Sequence, residues 1–202
     1  MINSSIVVAF ITGILGPVIV LFIKHYVEKS KAKPDMITEA LEMSERVVTK
    51  LDSIKDEYKA DRVWITQFHN GGHFYPTGKS MAKFSVIYET VDIGVGSIQS
   101  NFQSIPVNLF SKSINYLLEH DVIEIPDFKD ETIATHGLKY IAEDTGCKSG
   151  YLFAIKTIEG KYIGTLGLDF TKKKVRLDQE DVMHLSVHAS SIGGVLSGQL
   201  DL

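Results

Sequence analysis

Two pairs of histidines have the spacing that a metal site on a helix would need. His184 and His188 lie four residues apart in a segment of helical periodicity, and His69 and His73 have the same spacing. Side chains four residues apart stack on one face of a helix, where a zinc ion can take both as ligands. No third ligand accompanies the first pair, and the two glycines between the second pair argue against a helix there. The sequence therefore predicts no metal site.

The residues needed for nucleophilic or acid–base catalysis are also missing. There is no Gly-x-Ser-x-Gly motif, and Gly94-Val95-Gly96 lacks the third glycine of a dinucleotide-binding loop. Asp127 and Asp130 flank a turn beside Glu131, where carboxylates typically cap backbone amides. Cys147 is the only cysteine, which excludes an internal disulfide and a cysteine-only zinc site. We therefore predict that the protein is not an enzyme.

Charge is distributed unevenly along the 202 residues. The chain has 21 basic and 25 acidic residues, with an uncharged N-terminal stretch and a cluster of four lysines directly after it. The net negative charge of the rest gives no general attraction for a phosphate backbone. Nucleic acid is thus not an expected partner, and the length fits one domain with a short extension.

The extension has the composition of a membrane anchor. Met1–Ile23 contains no Asp, Glu, Lys or Arg, and Ile6–Ile23 is apolar on every helical face. We predict a transmembrane helix at residues 1–23, with approximately residues 4–23 in the bilayer, rather than a signal peptide or a buried core helix. The lysines of the basic linker, residues 24–34, follow the span, so the N-terminus is expected outside and the domain in the cytoplasm.

A connecting helix is predicted at residues 35–59, with Asp35 as its cap. Its apolar stripe either packs on its own domain or pairs with a second copy in a short coiled coil, and both alternatives stay open. We expect a homodimer, with the small residues of the last helix also allowing close approach. The stripe is Ile37, Leu41, Ser44, Val47, Val48, Leu51, Ile54 and Tyr58, and the small residues are Ser190, Gly193, Gly194 and Ser197.

Residues 60–202 alternate between strand and helix patterns. The fold class is predicted to be α+β, with a mostly antiparallel sheet flanked by helices. Fourteen residues, His69–Ala82, form a long predicted connection between the first two strands. The predicted strands are Arg62–Phe68, Lys83–Val91, Val122–Ile125, Tyr151–Thr157 and Tyr162–Phe170, and the predicted helices are Pro106–Glu119, Glu131–Thr145 and one starting at Asp178.

This order of elements resembles the GAF family of small-ligand sensor domains. The resemblance is carried by Ala60–Phe68, by Val122–Asp130 with its Pro-Asp, by the hairpin Gly146–Phe170 and by the final helix Leu177–Leu196. The resemblance implies a ligand pocket on the sheet face beneath the middle helices. Three family activities are not expected: the cyclic-nucleotide signature is absent, sulfoxide reduction needs more than one thiol, and Cys147 precedes a strand, unlike a bilin-attaching cysteine.

The resemblance implies a binding site of aromatic side chains with polar tips, although the same residues could simply fill the core. We predict a membrane-anchored, cytoplasmic, noncatalytic sensory or regulatory module, with no particular cofactor or ligand indicated. Because the chain ends after its last predicted helix, it is expected to act through a partner or by self-association. Two alternatives are a structural membrane protein that only dimerises or docks a partner, and a hydrolase using the loop His69–Ala82. The candidate ligand-binding residues are Trp64, Thr66, Phe68, Tyr88, Phe128, Tyr140 and Tyr151.

Overall fold

The computed structural model describes residues 13, 15–30, 35–73, 76–130 and 138–198, in two compact units divided between Glu42 and Met43. The first unit holds helix α1 (Gly16–Ser30) and the start of α2 (Met36–Tyr58). Among the described residues, no helix combines the length and the apolar character needed to cross a membrane. Residues 1–12 and 14 of the proposed span lie outside the described residues, so the span stays a prediction.

The second unit is built on one six-stranded sheet, in which every pairing of the described strands is antiparallel. Its order, β3-β2-β1-β6-β5-β4, places the first and last long strands side by side at the centre. The predicted α+β class with an antiparallel sheet is confirmed. The strands are β1 (Arg62–His73), β2 (Ser80–Val91), β3 (Ile105–Pro106), β4 (Val122–Ile125), β5 (Ser149–Lys156) and β6 (Tyr162–Phe170).

Helices α2 and α5 (Gln179–Ser197) cover one face of this sheet, called here the helix face. Leu51 and Ile54 of α2 are 0% exposed, and they share a core cluster with Val63 and Ile65 of β1. The stripe on α2 therefore packs on its own domain from Met43 onwards. A coiled-coil seam through Leu51 and Ile54 is wrong, because these side chains have no surface left for a second copy.

The last helix begins as the sequence indicates. Asp178 accepts a hydrogen bond from the backbone amide of Asp181 at 2.9 Å, and the side chain of Asp181 accepts one from the amide of Asp178 at 3.4 Å. This reciprocal pair satisfies two amides that the helix itself leaves free. Gly193 packs directly against β5 of its own domain, since a Cβ there would lie 2.1 Å from the carbonyl oxygen of Lys156. It is therefore not available for contact with another helix.

The long connection predicted at His69–Ala82 is wrong. Strand β1 continues to His73 and β2 begins at Ser80, with residues 74–75 outside the described residues. Beyond Gln67 the strand has no partner in β6 and pairs with β2 alone. The paired outer ends of β1 and β2 are mostly exposed to solvent. Their sequence is therefore polar and rich in glycine, and it lacks the alternation of apolar residues by which strands are recognised.

The second face, called here the cavity face, is covered by shorter elements. The helix predicted at Pro106–Glu119 is divided into the short strand β3, a 3₁₀ turn (Val107–Phe110) and α3 (Ser111–His120). Helix α4 spans Leu138–Thr145, and residues 131–137 of its predicted range lie outside the described residues.

Candidate functional site

A cavity of about 70 Å³ lies between the cavity face of the sheet, helices α3 and α4, and the loop of residues 92–104 that joins β2 to β3. Its walls come from nearly every element on this side of the domain. The lining residues are Trp64, Thr66, Phe68, Phe84, Val86, Ile98, Phe102, Phe110, Ser113, Ile114, Leu117, Leu138, Ile141, Leu152 and Thr165.

Among the described residues that line the cavity, none is charged and three are polar: Thr66, Ser113 and Thr165. The hydroxyl of Thr66 accepts a hydrogen bond from the amide of Thr165 at 3.1 Å, and the hydroxyl of Thr165 lies 2.7 Å from that of Tyr162. Burial raises the pKa of Tyr162 to about 12, so its phenol is neutral at physiological pH. The site therefore offers hydroxyl dipoles in an apolar wall and no counter-charge for an ionic ligand.

Aromatic rings form a continuous side of the cavity. Phe68 meets Tyr162 edge-on with ring centroids 5.0 Å apart and meets Phe84 at 6.5 Å, and Phe84 contacts Phe110 at 5.5 Å. Edge-to-face pairs at these distances are favourable beyond the area they bury. They fix the rings against one another and give this wall a defined shape.

Alternation along β1 explains why three predicted site residues meet in the cavity. Trp64, Thr66 and Phe68 project from one side of the strand, whereas Val63 and Ile65 enter the core beneath α2 and α5. The indole lies against Gly167 of β6, where a Cβ would approach the ring to 2.2 Å. Glycine at this position makes room for the tryptophan.

Tyr88 lies on the opposite face, because β2 contains a bulge. Thr66 pairs with Val86 while Ile65 pairs with Tyr88, which leaves Ile87 as the extra residue. A bulge reverses the parity of a strand, so Phe84 and Val86 face the cavity and Tyr88 faces α2. Its hydroxyl lies 3.2 Å from that of Ser44.

Two further predicted residues, Tyr151 and Phe128, do not line the cavity. Tyr151 points into the helix face, where its hydroxyl accepts a hydrogen bond from the amide of Leu177 at 2.8 Å. Phe128 packs on the cavity face beside the small core cluster of Leu117 and Leu152, outside the cavity lining. Tyr140 is on α4, but its side chain lies outside the described part of the structure.

Sequence reasoning missed most of the lining. Phe84 and Val86 alternate within a predicted strand, and Phe110, Ile114 and Leu117 share an apolar stripe, so patterning could have found these five. Ile98 and Phe102 lie in a loop without periodicity. No sequence signal places their side chains in the site.

A buried ion pair lies beside the cavity on the same face. Arg62, 1% exposed, donates from Nε to Oδ2 of Asp169 at 2.8 Å, and its Nη2 is 2.6 Å from the same oxygen. The indole Nε1 of Trp64 also donates to this oxygen, at 3.0 Å, and Nη1 of Arg62 donates to the carbonyl oxygen of Gly96 at 2.9 Å. Asp169 thus orients both the arginine and the cavity-lining tryptophan.

Neither Cys147 nor any histidine of the described residues lines the cavity. In the described parts of the chain, no three His, Cys, Asp or Glu side chains come close enough to hold a metal ion. His188 on α5 lies 4.0 Å from the carboxylate of Glu57, and burial lowers its pKa. Cys147 is buried and donates to the carbonyl oxygen of Ser149 at 3.2 Å, and burial raises the pKa of this thiol. It remains a protonated, weakly reactive group.

No protein-family model matches the sequence, and no curated protein matches it. Solved structures with the same fold are numerous. A far-red cyanobacteriochrome photoreceptor shares 15% identity at a TM-score of 0.63, over 90% of this chain and 98% of that chain. The phycoerythrobilin-bound GAF domain of a cyanobacterial phytochrome shares 16% sequence identity at a TM-score of 0.60, over 79% of this chain and 88% of that chain. The GAF domain/HD domain protein of Geobacter sulfurreducens shares 12% sequence identity at a TM-score of 0.59, over 79% of this chain and 95% of that chain.

These likenesses define the fold. The second unit is a GAF-like domain, as the resemblance of the sequence motifs implied. At identities of 12–16% the likeness concerns the fold alone, so any ligand has to be argued from the residues of this chain.

The bilin of the phytochrome domain provides a test of fit. A cavity of about 150 Å³ accommodates a benzene ring, and the present cavity is about 70 Å³. A linear tetrapyrrole is many times larger. Cys147 is the sole thiol, is buried and is not among the lining residues, so it is not placed to attach a chromophore. The described residues therefore do not fit a bilin.

Proposed function

We propose that this protein is a noncatalytic sensory module that binds an uncharged, largely apolar molecule, smaller than a benzene ring, in the cavity of its GAF-like domain. The observation that carries the proposal is the lining itself: five aromatic and seven aliphatic side chains surround three hydroxyl groups, with no charge. An apolar cavity of this kind binds apolar guests because it is poorly hydrated when empty.

The absence of catalysis is part of the proposal. It is supported by the chemistry of the lining, in which none of the fifteen residues is a His, Cys, Asp, Glu or Lys that could act as a base or nucleophile. A hydroxyl without a neighbouring base is a poor nucleophile. Binding therefore has to be transmitted as a change in shape or association.

We also propose that the domain is held at a membrane with the domain in the cytoplasm and the N-terminus outside. The support is the uncharged stretch Met1–Ile23 and the lysines that follow it. A membrane anchor raises the local concentration of the domain in a plane, which favours self-association or contact with another membrane protein. Homodimerisation and a downstream partner belong to the same proposal.

Binding is tested with the full chain extracted in detergent. Ile114→Phe adds volume inside the cavity, and the matched control Leu118→Phe makes the same change one turn later on α3, at a side chain that is 49% exposed. Native mass spectrometry identifies copurified molecules, and ¹²⁹Xe NMR measures uptake of xenon, an uncharged probe of suitable size. We expect both to be lost in Ile114→Phe and kept in the control.

Two results would contradict the proposal. One is a wild-type protein that takes up no xenon and carries no small molecule, which would favour a domain used only for docking. The other is equal binding in Ile114→Phe and in the wild type, both folded by circular dichroism, which would place binding outside this cavity.

A further inference from the structure

The loop of residues 92–104, called here the cavity loop, is a wall of the candidate site that lacks secondary structure. It contributes Ile98, which is 5% exposed, and the half-buried Phe102 to the lining. Its ends are fixed by backbone hydrogen bonds, from the amide of Asp92 to the carbonyl oxygen of Asp61 and from the amide of Val86 to that of Phe102, both at 2.8 Å. The segment between these ends is held in another way.

Glu89 holds the middle of the cavity loop with a single carboxylate. One carboxylate oxygen accepts from the amide of Ile98 at 2.8 Å, and the other accepts from the amide of Gln99 at 3.1 Å and from the hydroxyl of Ser97. Hydrogen bonds to a charged acceptor are roughly twice as strong as neutral ones. Glu89 pairs with Trp64 in the register of β1 and β2, so the carboxylate and the cavity-lining indole belong to directly opposed residues.

The other attachments of the loop are also polar. Nε2 of Gln99 donates to the carbonyl oxygen of Ile87 at 3.0 Å, and Nε2 of Gln103 donates to that of Val86 at 2.8 Å. Arg62 donates to the carbonyl oxygen of Gly96. Gln103 is exposed and Gln99 is half-buried, so water can replace the bonds of these two side chains when the loop lifts.

Two residues near the ends of the cavity loop have a left-handed backbone conformation. Gly94 has φ = 80° and Ser104 has φ = 56°, both in the left-handed region. For a non-glycine residue this conformation is mildly strained, and Ser104 keeps it while its amide donates to the hydroxyl of Ser85 at 2.8 Å. Both residues lie near the ends of a loop, which is where hinge residues are found in proteins whose loops close over a ligand.

We propose that residues 95–103 are a lid over the cavity and that Glu89 is its latch, so that release of this carboxylate sets the rate at which a ligand enters and leaves. The inference rests on the proposed function, since a lid matters only if the cavity binds a ligand. Glu89 is a positioning residue: it lies outside the lining and acts through Ile98.

The test compares Glu89→Ala, which removes all three acceptor contacts, with Glu89→Gln, which keeps an uncharged oxygen. The matched control is Glu124→Ala, an exposed glutamate on β4. Hydrogen exchange by mass spectrometry on the full chain reports opening of residues 95–103 without any ligand. Loss of three charge-assisted hydrogen bonds, two of them from backbone amides, should speed exchange of the amides of residues 95–103 by about tenfold or more in Glu89→Ala, and less in Glu89→Gln.

Exchange between free and bound xenon, measured by ¹²⁹Xe NMR, reports gating in the same samples. We expect it to be faster in Glu89→Ala and unchanged in Glu124→Ala, with hydrogen exchange of β6 unaltered in both. Unchanged hydrogen exchange at 95–103 in Glu89→Ala would overturn the latch. Faster hydrogen exchange with unaltered xenon exchange would overturn the lid while leaving the proposed function intact. A wild type that neither takes up xenon nor carries a copurified small molecule would overturn the lid together with the proposed function.

Discussion

Arg62 and Asp169 form an ion pair between the two central strands of the sheet, which come from opposite ends of the domain sequence. The two residues oppose each other in the register of β1 and β6. Trp64 donates to the same oxygen of Asp169, so the pair fixes a wall of the cavity as well as the centre of the sheet. Removing one partner leaves the other charged and buried.

We predict that Arg62→Met lowers the free energy of unfolding by about 3–5 kcal/mol, because Asp169 then lacks its counter-charge in a dry environment. The double variant Arg62→Met with Asp169→Leu should recover most of this loss, since it removes both charges. Urea denaturation followed by circular dichroism measures both. A single variant as stable as the wild type would mean that water reaches Asp169 and screens its charge.

Leu51→Asp is expected to abolish folding rather than to separate a dimer. The side chain of Leu51 is fully buried in the core beneath the helix face, so an aspartate there would be an unpaired charge in an apolar setting. Val48→Asp, on the same helix at a side chain that is 38% exposed, is the matched control and should change stability by less than about 0.5 kcal/mol. Circular dichroism distinguishes the two. A folded Leu51→Asp protein would contradict the packing of α2.

The contrast between Leu51 and Tyr88 shows what sequence patterning can and cannot find. The apolar stripe of α2, the cap at Asp178 and the strand Tyr162–Phe170 follow from local signals, and the structure contains all three. The face on which Tyr88 lies depends on a bulge at Ile87, which only cross-strand pairing defines. Counting alternate residues along β2 therefore assigns the wrong sheet face to the residues that follow the bulge, Tyr88 among them.

The candidate site is predictable only where it lies on regular elements. Trp64, Thr66 and Phe68 were found because period two on a strand fixes their direction. Ile98 and Phe102 reach the cavity because Glu89 and Arg62 hold their loop, and these are contacts between residues distant in sequence. No window along the chain contains that information.

Alkaline pH should destabilise the domain through Tyr162. Its pKa is raised to about 12 in the folded protein by burial, against about 10 in the unfolded chain, so the folded state retains a proton that the unfolded state loses. This contribution is fully present below pH 10 and is lost as the pH rises towards 12, by about 2–3 kcal/mol in all. Urea denaturation from pH 9 to 12 measures the slope, which should be shallower in Tyr162→Phe. If stability falls equally steeply with pH in the wild type and in Tyr162→Phe, a group other than Tyr162 is responsible.

Self-association through the GAF-like domain has to use surface that the core leaves free. Met183 and Val187 are 60% and 63% exposed and lie one turn apart on α5. We expect Val187→Asp to weaken a dimer of the full chain in detergent while leaving its circular dichroism unchanged, because the substituted side chain carries no core contact. Sedimentation velocity measures the change. Monomers in the wild type, or a dimer indifferent to Val187→Asp, would show that this face is not the interface.

Topology is the final prediction, and it depends on the N-terminal sequence. Four lysines follow the uncharged stretch Met1–Ile23, so by the positive-inside rule we expect the domain to stay in the cytoplasm. Alkaline phosphatase, which is active only outside the cytoplasm, should be silent when fused after Leu202, and green fluorescent protein at the same position should fluoresce. Replacing the four lysines with glutamine tests whether they determine the orientation. We expect part of the protein to insert in the opposite orientation. Strong phosphatase activity in the unmodified chain would show that the orientation is the reverse of the one predicted. Release of the protein from membranes by alkaline wash would contradict the transmembrane anchor.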